Sequence, residues 1–218
     1  DLLNRNANVI VESDTRMVSL FQRSFPKIRF IPRQNPPNSQ LLNTTMDYQT
    51  PIGSLGKWFR TDNNSFILNR NTYLYACPKK TSEIRKKYQE LAKEKILIGI
   101  SWKSTGIDQR QTYSKKKKST LLEHWQPVLA QRNCYFINLQ YGNVKQELNE
   151  FQKHNNLKIH QDEEIDSLSS LDDFAAQISA LDLVISTSNT TVHLAGALGK
   201  QVWTLLPHIP DWRWTLER

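Results

Sequence analysis

From Thr81 to the end of the chain, short apolar runs alternate with longer amphipathic stretches. Ile96–Trp102, Cys134–Leu139, Leu183–Thr187 and Val202–Leu206 are nearly continuous apolar runs, the pattern of strands buried on both faces. Between them the spacing predicts helices from about Thr81 to Lys93, from Thr120 to Gln131 and from Gln146 to Lys153. A further helix starts at Asp172 or Asp173, which would cap it, and ends near Leu181. Leu157–His160 reads as a short additional strand. Strands and helices in alternation with short connections imply a parallel sheet covered on both faces.

The sharpest signal lies between Leu181 and Pro207. The run Leu183–Val184–Ile185 stops at a polar turn, Ser186 to Thr191, and a helix rich in small residues follows (His193, Ala195, Gly196, Ala197). Gly199 ends it and the strand Val202–Leu206 begins. The first N–H groups of such a helix have no intrahelical acceptor and form a seat for phosphate. Ligands of open α/β sheets bind at this carboxyl edge.

Residues 1 to about 75 are less regular. Asn8–Glu12 and Ile28–Ile31 read as strands. Asp14 can cap a short helix running to Ser24. PRQNPPNSQ (32–40) reads as loop, and PIGSLGKWF (51–59) as a turn followed by a short helical piece. No complete βαβ set is legible there. The expected division is a partial N-terminal lobe over 1–75 and a Rossmann-like, doubly wound lobe over 76–218.

Composition narrows the class. The chain has 218 residues, 38% of them hydrophobic, with six tryptophans, enough for a real core. No apolar run reaches membrane-span length, and the first residues lack the features of a signal peptide. Two cysteines, Cys77 and Cys134, make no disulfide framework. Both are expected to be reduced, in a cytoplasmic protein. The formal charge of +8 admits an anionic partner. Much of the excess lies in Lys79–Lys95, expected as a solvated helix face, and in the loop tetrad Lys115–Lys118. The basic residues show no aromatic interleaving, which disfavours nucleic acid.

Missing motifs constrain the chemistry. None of the seven glycines makes a GxGxxG or a GxxxxGK[ST]. There is no GxSxG, no His/Cys cluster at zinc spacing and no Asp-x-Asp. The expectation is therefore a site without metal or cofactor, in which helix N-termini and basic side chains hold phosphate.

The segments VESDTRMVSLFQRSFP (11–26), PIGSLGKWFR (51–60), ILIGISWKS (96–104), EHWQPVLA (123–130), FINLQYG (136–142), DDFAAQISALDLVIS (172–186), TVHLAGALGKQVWTLLP (191–207) and PDWRW (210–214) stand in one order. In that order they resemble the glycosyltransferase-like domain that follows tetratricopeptide repeats in many bacterial proteins. That domain is similar to the ADP-heptose:lipopolysaccharide heptosyltransferases (glycosyltransferase family 9-like, GT-B fold). The resemblance implies a GT-B-like α/β fold, a nucleotide-diphosphate sugar donor and transfer to a hydroxyl acceptor on a glycan or protein. Two departures stand out. Related enzymes usually carry Asp-Thr-Gly ahead of the motif histidine, where this chain has Ser188–Asn189–Thr190. The first strand and loop of the N-terminal lobe, where such enzymes carry their acidic base, have no counterpart. The expectation is a fragment or a naturally short form without its own complete catalytic site, and no catalytic residue is assigned. The alternative is a degenerate transferase lobe serving as a binding or scaffold module.

The candidate donor-binding residues are Trp102, Lys103, Ser104, Tyr141, Ser188, Asn189, Thr190, Thr191 and His193. Lys103 follows a strand and points into the crevice, where its charge would neutralise a leaving diphosphate; Trp102 and Ser104 flank it. Ser188–Thr191 would seat phosphate, although a plain N-cap accounts for the same residues. His193 is a hydrogen-bond donor for phosphate in either protonation state near neutrality. Tyr141 would face the nucleoside and Glu147 would reach a ribose hydroxyl, or else stand as an exposed helix residue. Any of Lys115–Lys118 could fold over phosphate. Trp203, Trp212 and Trp214 read as core or interlobe packing, and Arg213 as facing the cleft.

Overall fold

The computed structural model describes residues 1–65, 72–104, 118–211 and 214. The expectations for Lys115–Lys117, Trp212 and Arg213 lie outside them. In chain order, the N-terminal part holds β1 (Ile10–Ser13), α1 (Val18–Ser24), β2 (Arg29–Pro32), α2 (Ser39–Leu42) and α3 (Gly56–Phe59). Then come α4 (Pro78–Ala92), β3 (Ile96–Ser101), α5 (Gln126–Leu129), β4 (Cys134–Asn138), α6 (Lys145–Asn155) and β5 (Ile159–His160). The chain continues with α7 (Leu171–Ser179), β6 (Leu183–Thr187), α8 (Thr190–Ala197) and β7 (Val202–Leu205).

β1 and β2 pair in parallel, Ile10 opposite Arg29, with α1 between them in sequence. This corrects the expectation that the first 75 residues hold no βαβ set. Asp14 does cap, accepting from the Arg16 N–H at 3.0 Å, and the Arg16 side chain pulls its carboxyl pKa down to about 2. The second sheet has the order β5-β4-β3-β6-β7, and every neighbouring pair is parallel. The four apolar runs read as strands are in it, and so is the short strand read at Leu157–His160, as Ile159–His160.

Both faces of this sheet are covered. Side chains alternate along a strand, so Leu97, Ile137 and Val184 join one core with Tyr88 of α4, Phe174 and Ile178 of α7 and Leu194 of α8. Ile98, Ile100, Phe136 and Ile185 join the other, with Trp125, Leu148 and Phe151. Leu20 of α1 lies in the first core, and α1 packs against α7. A Cβ on Gly99 would come within 2.4 Å of Leu139 Cδ1 and 2.5 Å of Leu181 Cδ1, which explains a glycine inside a central strand. Gly199 has φ +72°, and a Cβ there would meet Thr72 Oγ1 at 2.0 Å.

Several local expectations change. The cap of α7 is Ser170, whose hydroxyl accepts from the Asp173 N–H at 3.1 Å. Asp172 and Asp173 sit in the first turn instead. Asp172 binds Arg23 through two hydrogen bonds of 2.6 and 2.9 Å, and Asp173 binds Lys80. Helix α4 begins at Pro78 rather than Thr81, with proline at its first position, where its missing N–H costs nothing. Its basic face is not simply solvated: Lys80, Arg85 and Lys87 pair with Asp173, Asp182 and Asp162 respectively. The stretch expected as one helix from Thr120 is a 3-10 turn, Leu122–Trp125, running into the short α5. Trp203 is 58% exposed rather than packed, because β7 is an edge strand of the sheet. Cys77 and Cys134 are free and half-buried, as read. Among the described residues, no helix is long and apolar enough to cross a membrane.

Candidate functional site

The chain leaves β3 to build β4 and β5 on one side, then returns to place β6 and β7 on the other. The order reverses between β3 and β6, so the carboxyl ends of these two strands flank the crevice where such sheets bind ligands. Their pairing register runs to Ser101 opposite Ser186. Lys103 follows one strand and Asn189 follows the other.

Asn189 ties the two ends together. It is 6% exposed. Its Oδ1 accepts the Thr191 N–H at 2.9 Å and so caps α8. Its Nδ2 donates to Ser101 Oγ at 2.8 Å and to the Lys103 carbonyl at 3.3 Å. Gln140, after β4, extends the network. Its Oε1 accepts from Ser101 Oγ at 3.0 Å, from the Trp102 N–H at 3.0 Å and from the Lys103 N–H at 2.8 Å. One carboxamide thus satisfies two backbone donors where the ladder of β3 ends, groups that would be costly to bury unpaired. Asn138 in turn accepts from the Gln140 N–H at 2.8 Å. Sequence reasoning assigned no role to Gln140 or Ser101; a polar residue closing an apolar run was the available signal.

Lys103 is half-buried, and its ammonium forms an ion pair with Glu147 of α6. The second oxygen of that carboxylate accepts the Trp102 indole N–H at 3.1 Å. Glu147 is therefore not the exposed helix residue of the bland reading. Trp102 is 0% exposed and its indole belongs to the second core, so it shapes the crevice from behind and offers no side-chain surface to a ligand. Ser104 is half-buried and its N–H donates to Ser119 Oγ at 3.0 Å. Tyr141 is half-buried at the end of β4, and β3 separates β4 from β6.

At the start of α8, Thr190 and His193 are exposed, whereas Thr191 is 0% exposed. The hydroxyls of Thr187 and Thr191 are buried with no hydrogen-bond partner among the described residues. The C-terminal turn folds over this helix start. The Trp214 indole stacks on His193, with centroids 5.1 Å apart and planes 20° from parallel, and donates to Ser188 Oγ at 2.9 Å. Trp214 thus contacts two candidate residues instead of filling a core. Lys118, the described member of the lysine tetrad, pairs with Asp211 of the same turn. The structure brings Lys103, Ser188, Asn189, Thr190, Thr191 and His193 to one edge, where Glu147 pairs with Lys103 and Trp214 contacts Ser188 and His193.

No family model matches the chain. Protein FlbA of Caulobacter vibrioides is 28% identical over 201 residues, covering 88% of this chain and 33% of the relative. The chain thus spans about a third of that protein's length. The structure of E. coli ADP-heptose lps heptosyltransferase II aligns with a TM-score of 0.57 at 10% identity, covering 93% of this chain and 77% of that one. At that identity the likeness speaks for the fold. The chain has an α/β fold with a parallel five-stranded sheet, like that GT-B-type neighbour.

Proposed function

We propose that the crevice between β3 and β6 binds the diphosphate of a nucleotide-linked sugar, without metal, and that the protein to which this chain belongs transfers the sugar to a hydroxyl of a glycan or protein. The observation that carries this reading is the Asn189–Ser101–Gln140 network. It fixes the backbone of Lys103 and the N-terminus of α8 on the two strands that flank the topological reversal. A leaving diphosphate gains negative charge, which an ammonium and a helix N-terminus stabilise. Binding exchanges Glu147 for phosphate oxygens at the Lys103 ammonium. On this reading residues 76–218 form the donor lobe and residues 1–75 belong to the acceptor side. The heptosyltransferase likeness supports the fold on which this chemistry rests.

One observation favours a second reading, a transferase-derived scaffold. Trp214 occupies Ser188 and His193, and Glu147 occupies Lys103, so the seat is closed from within. Isothermal titration with ADP, UDP and GDP, with and without magnesium, separates the two. The donor reading expects one nucleotide to bind and Lys103→Ala to weaken it about tenfold or more, the worth of a charged hydrogen bond. Absence of binding by all three overturns it in favour of the scaffold.

A further inference from the structure

The carboxyl ends of the strands carry the crevice; the amino ends carry a separate cavity of about 680 Å³. Its walls are the segment Thr72–Pro78, the first turns of α4, and the turns that lead into β6 and β7. Leu74, Leu181 and Leu198 give it an apolar floor. The Tyr75 ring, 54% exposed, forms a side wall.

The polar groups in this cavity are unequally satisfied. Arg85 donates to the Ala180 carbonyl at 2.8 Å and pairs with Asp182 at 2.7 Å. Asp182 also accepts the Leu97 N–H at 2.8 Å. These two charges cancel and both are held. Lys200 is different. It is half-buried, its ammonium donates to the Ser179 carbonyl at 3.2 Å, and no carboxylate lies within ion-pair distance among the described residues. Burial lowers its pKa despite the more distant Asp182. Thr81 lines the same cavity.

We infer that this cavity is a binding site for a small organic monoanion, a carboxylate on an apolar or aromatic body, distinct from the nucleotide crevice. One uncompensated ammonium matches one negative charge; a dianion would leave a charge unpaired in a cavity with an apolar floor. A carboxylate accepts from an ammonium, and the Lys200 ammonium is bonded to a single carbonyl among the described residues. The apolar body covers the leucine floor and the exposed Tyr75 ring. The cavity wall is tied to the rest of the protein. The Tyr73 and Leu74 N–H groups donate to the Ala197 carbonyl at 3.1 and 3.0 Å, and the Tyr75 N–H donates to Ser24 Oγ at 2.9 Å. A ligand seated there braces the segment joining α1 to the main sheet.

The test is a titration of the 218-residue chain with benzoate, benzyl alcohol and inorganic phosphate, followed by amide chemical shifts. Benzoate is expected to give saturable shifts at Tyr73–Ala76 and at Gly199 and Lys200 in the millimolar range. Benzyl alcohol, its neutral counterpart, is expected to bind about tenfold or more weakly, the loss of one charged hydrogen bond. Lys200→Met is expected to bring benzoate down to the alcohol's level, while Lys200→Arg retains binding. Should Lys200→Met fail to fold, the wild-type pH dependence decides, since benzoate affinity must fall as pH rises through the lowered lysine pKa. Equal binding of benzoate and benzyl alcohol overturns the inference. So do tighter binding of phosphate, shifts confined to Ser101–Lys103 and Ser188–His193, or no saturable shift. The outcome is independent of nucleotide binding at the crevice.

Discussion

Replacing Asn189 with alanine tests whether one side chain holds the crevice together. The amide is nearly fully buried and meets four groups: the Thr191 N–H, Ser186 Oγ at 3.2 Å, Ser101 Oγ and the Lys103 carbonyl. Loss of an N-cap costs about 0.5–2 kcal/mol. A buried polar group stripped of its partner adds about 1–3 kcal/mol. Because the Lys103 carbonyl bond is long at 3.3 Å, the lower part of that range applies, and the total is about 2–4 kcal/mol. Urea unfolding of Asn189→Ala should show this loss, and the melting temperature should fall by roughly 5–15 °C. Asn189→Asp is the sharper probe. It keeps the capping oxygen and improves the charge at the N-terminus of α8. It also turns a carboxylate oxygen toward the Lys103 carbonyl, acceptor against acceptor, in a buried place. It should be no more stable than the alanine variant. If Asn189→Ala stays within about 0.5 kcal/mol of wild type, or if Asn189→Asp is as stable as wild type, the amide does not join β3 to α8 and the reasoning fails.

Two further predictions concern the frame around the site. Arg23 and Asp172, with side chains 29% and 10% exposed, should show a coupling of about 1–3 kcal/mol in a double-mutant cycle of Arg23→Met and Asp172→Asn read by urea unfolding; coupling indistinguishable from zero would mean that this ion pair does not hold α1 to α7. Burial lowers the pKa of His160 from its ordinary 6.5, outweighing the nearby Asp162. Below pH 6.5 the unfolded chain therefore takes up a proton that the folded chain refuses, and stability should fall as pH drops toward the folded value, by at most about 1.4 kcal/mol per unit. His160→Phe should flatten that slope, and an unchanged slope in this variant would refute the assignment.

How much was legible depended on whether the cause was local. Leu183–Thr187 came out with its true bounds because a strand buried on both faces must be apolar at every inward position, and the polar turn and small-residue helix beyond it are equally local signals. Asp172 was misread for a physical reason. An acidic residue is favoured both at an N-cap and in the first helical turn by the same field, so sequence could not separate the two, and Ser170 took the cap. The partner that decides its role, Arg23, lies 149 residues away. Trp203 was misread because an edge strand and a central one share the same composition; only the order β5-β4-β3-β6-β7 shows that β7 has an open side. Strand order left no trace in the apolar pattern, and with it went Ser101, which gains its place from standing opposite Ser186.

Apart from the buried hydroxyls of Thr187 and Thr191, the polar groups of the crevice are internally satisfied. Lys103 has Glu147, Ser188 has the Trp214 indole, and the Thr191 N–H has Asn189. Any diphosphate that enters replaces partners already present, so its net gain per contact is the small difference between two hydrogen bonds rather than the whole of one. The contacts to Glu147 and Trp214 are made by side chains of α6 and of the C-terminal turn; Asn189 is held between β3 and β6. A ligand would therefore recruit the ammonium of Lys103 and the side chains of Ser188 and His193, while Asn189, Gln140 and Ser101 stay in place as the frame. This division separates residues whose substitution should alter affinity with the fold intact from those whose substitution should first cost the fold itself.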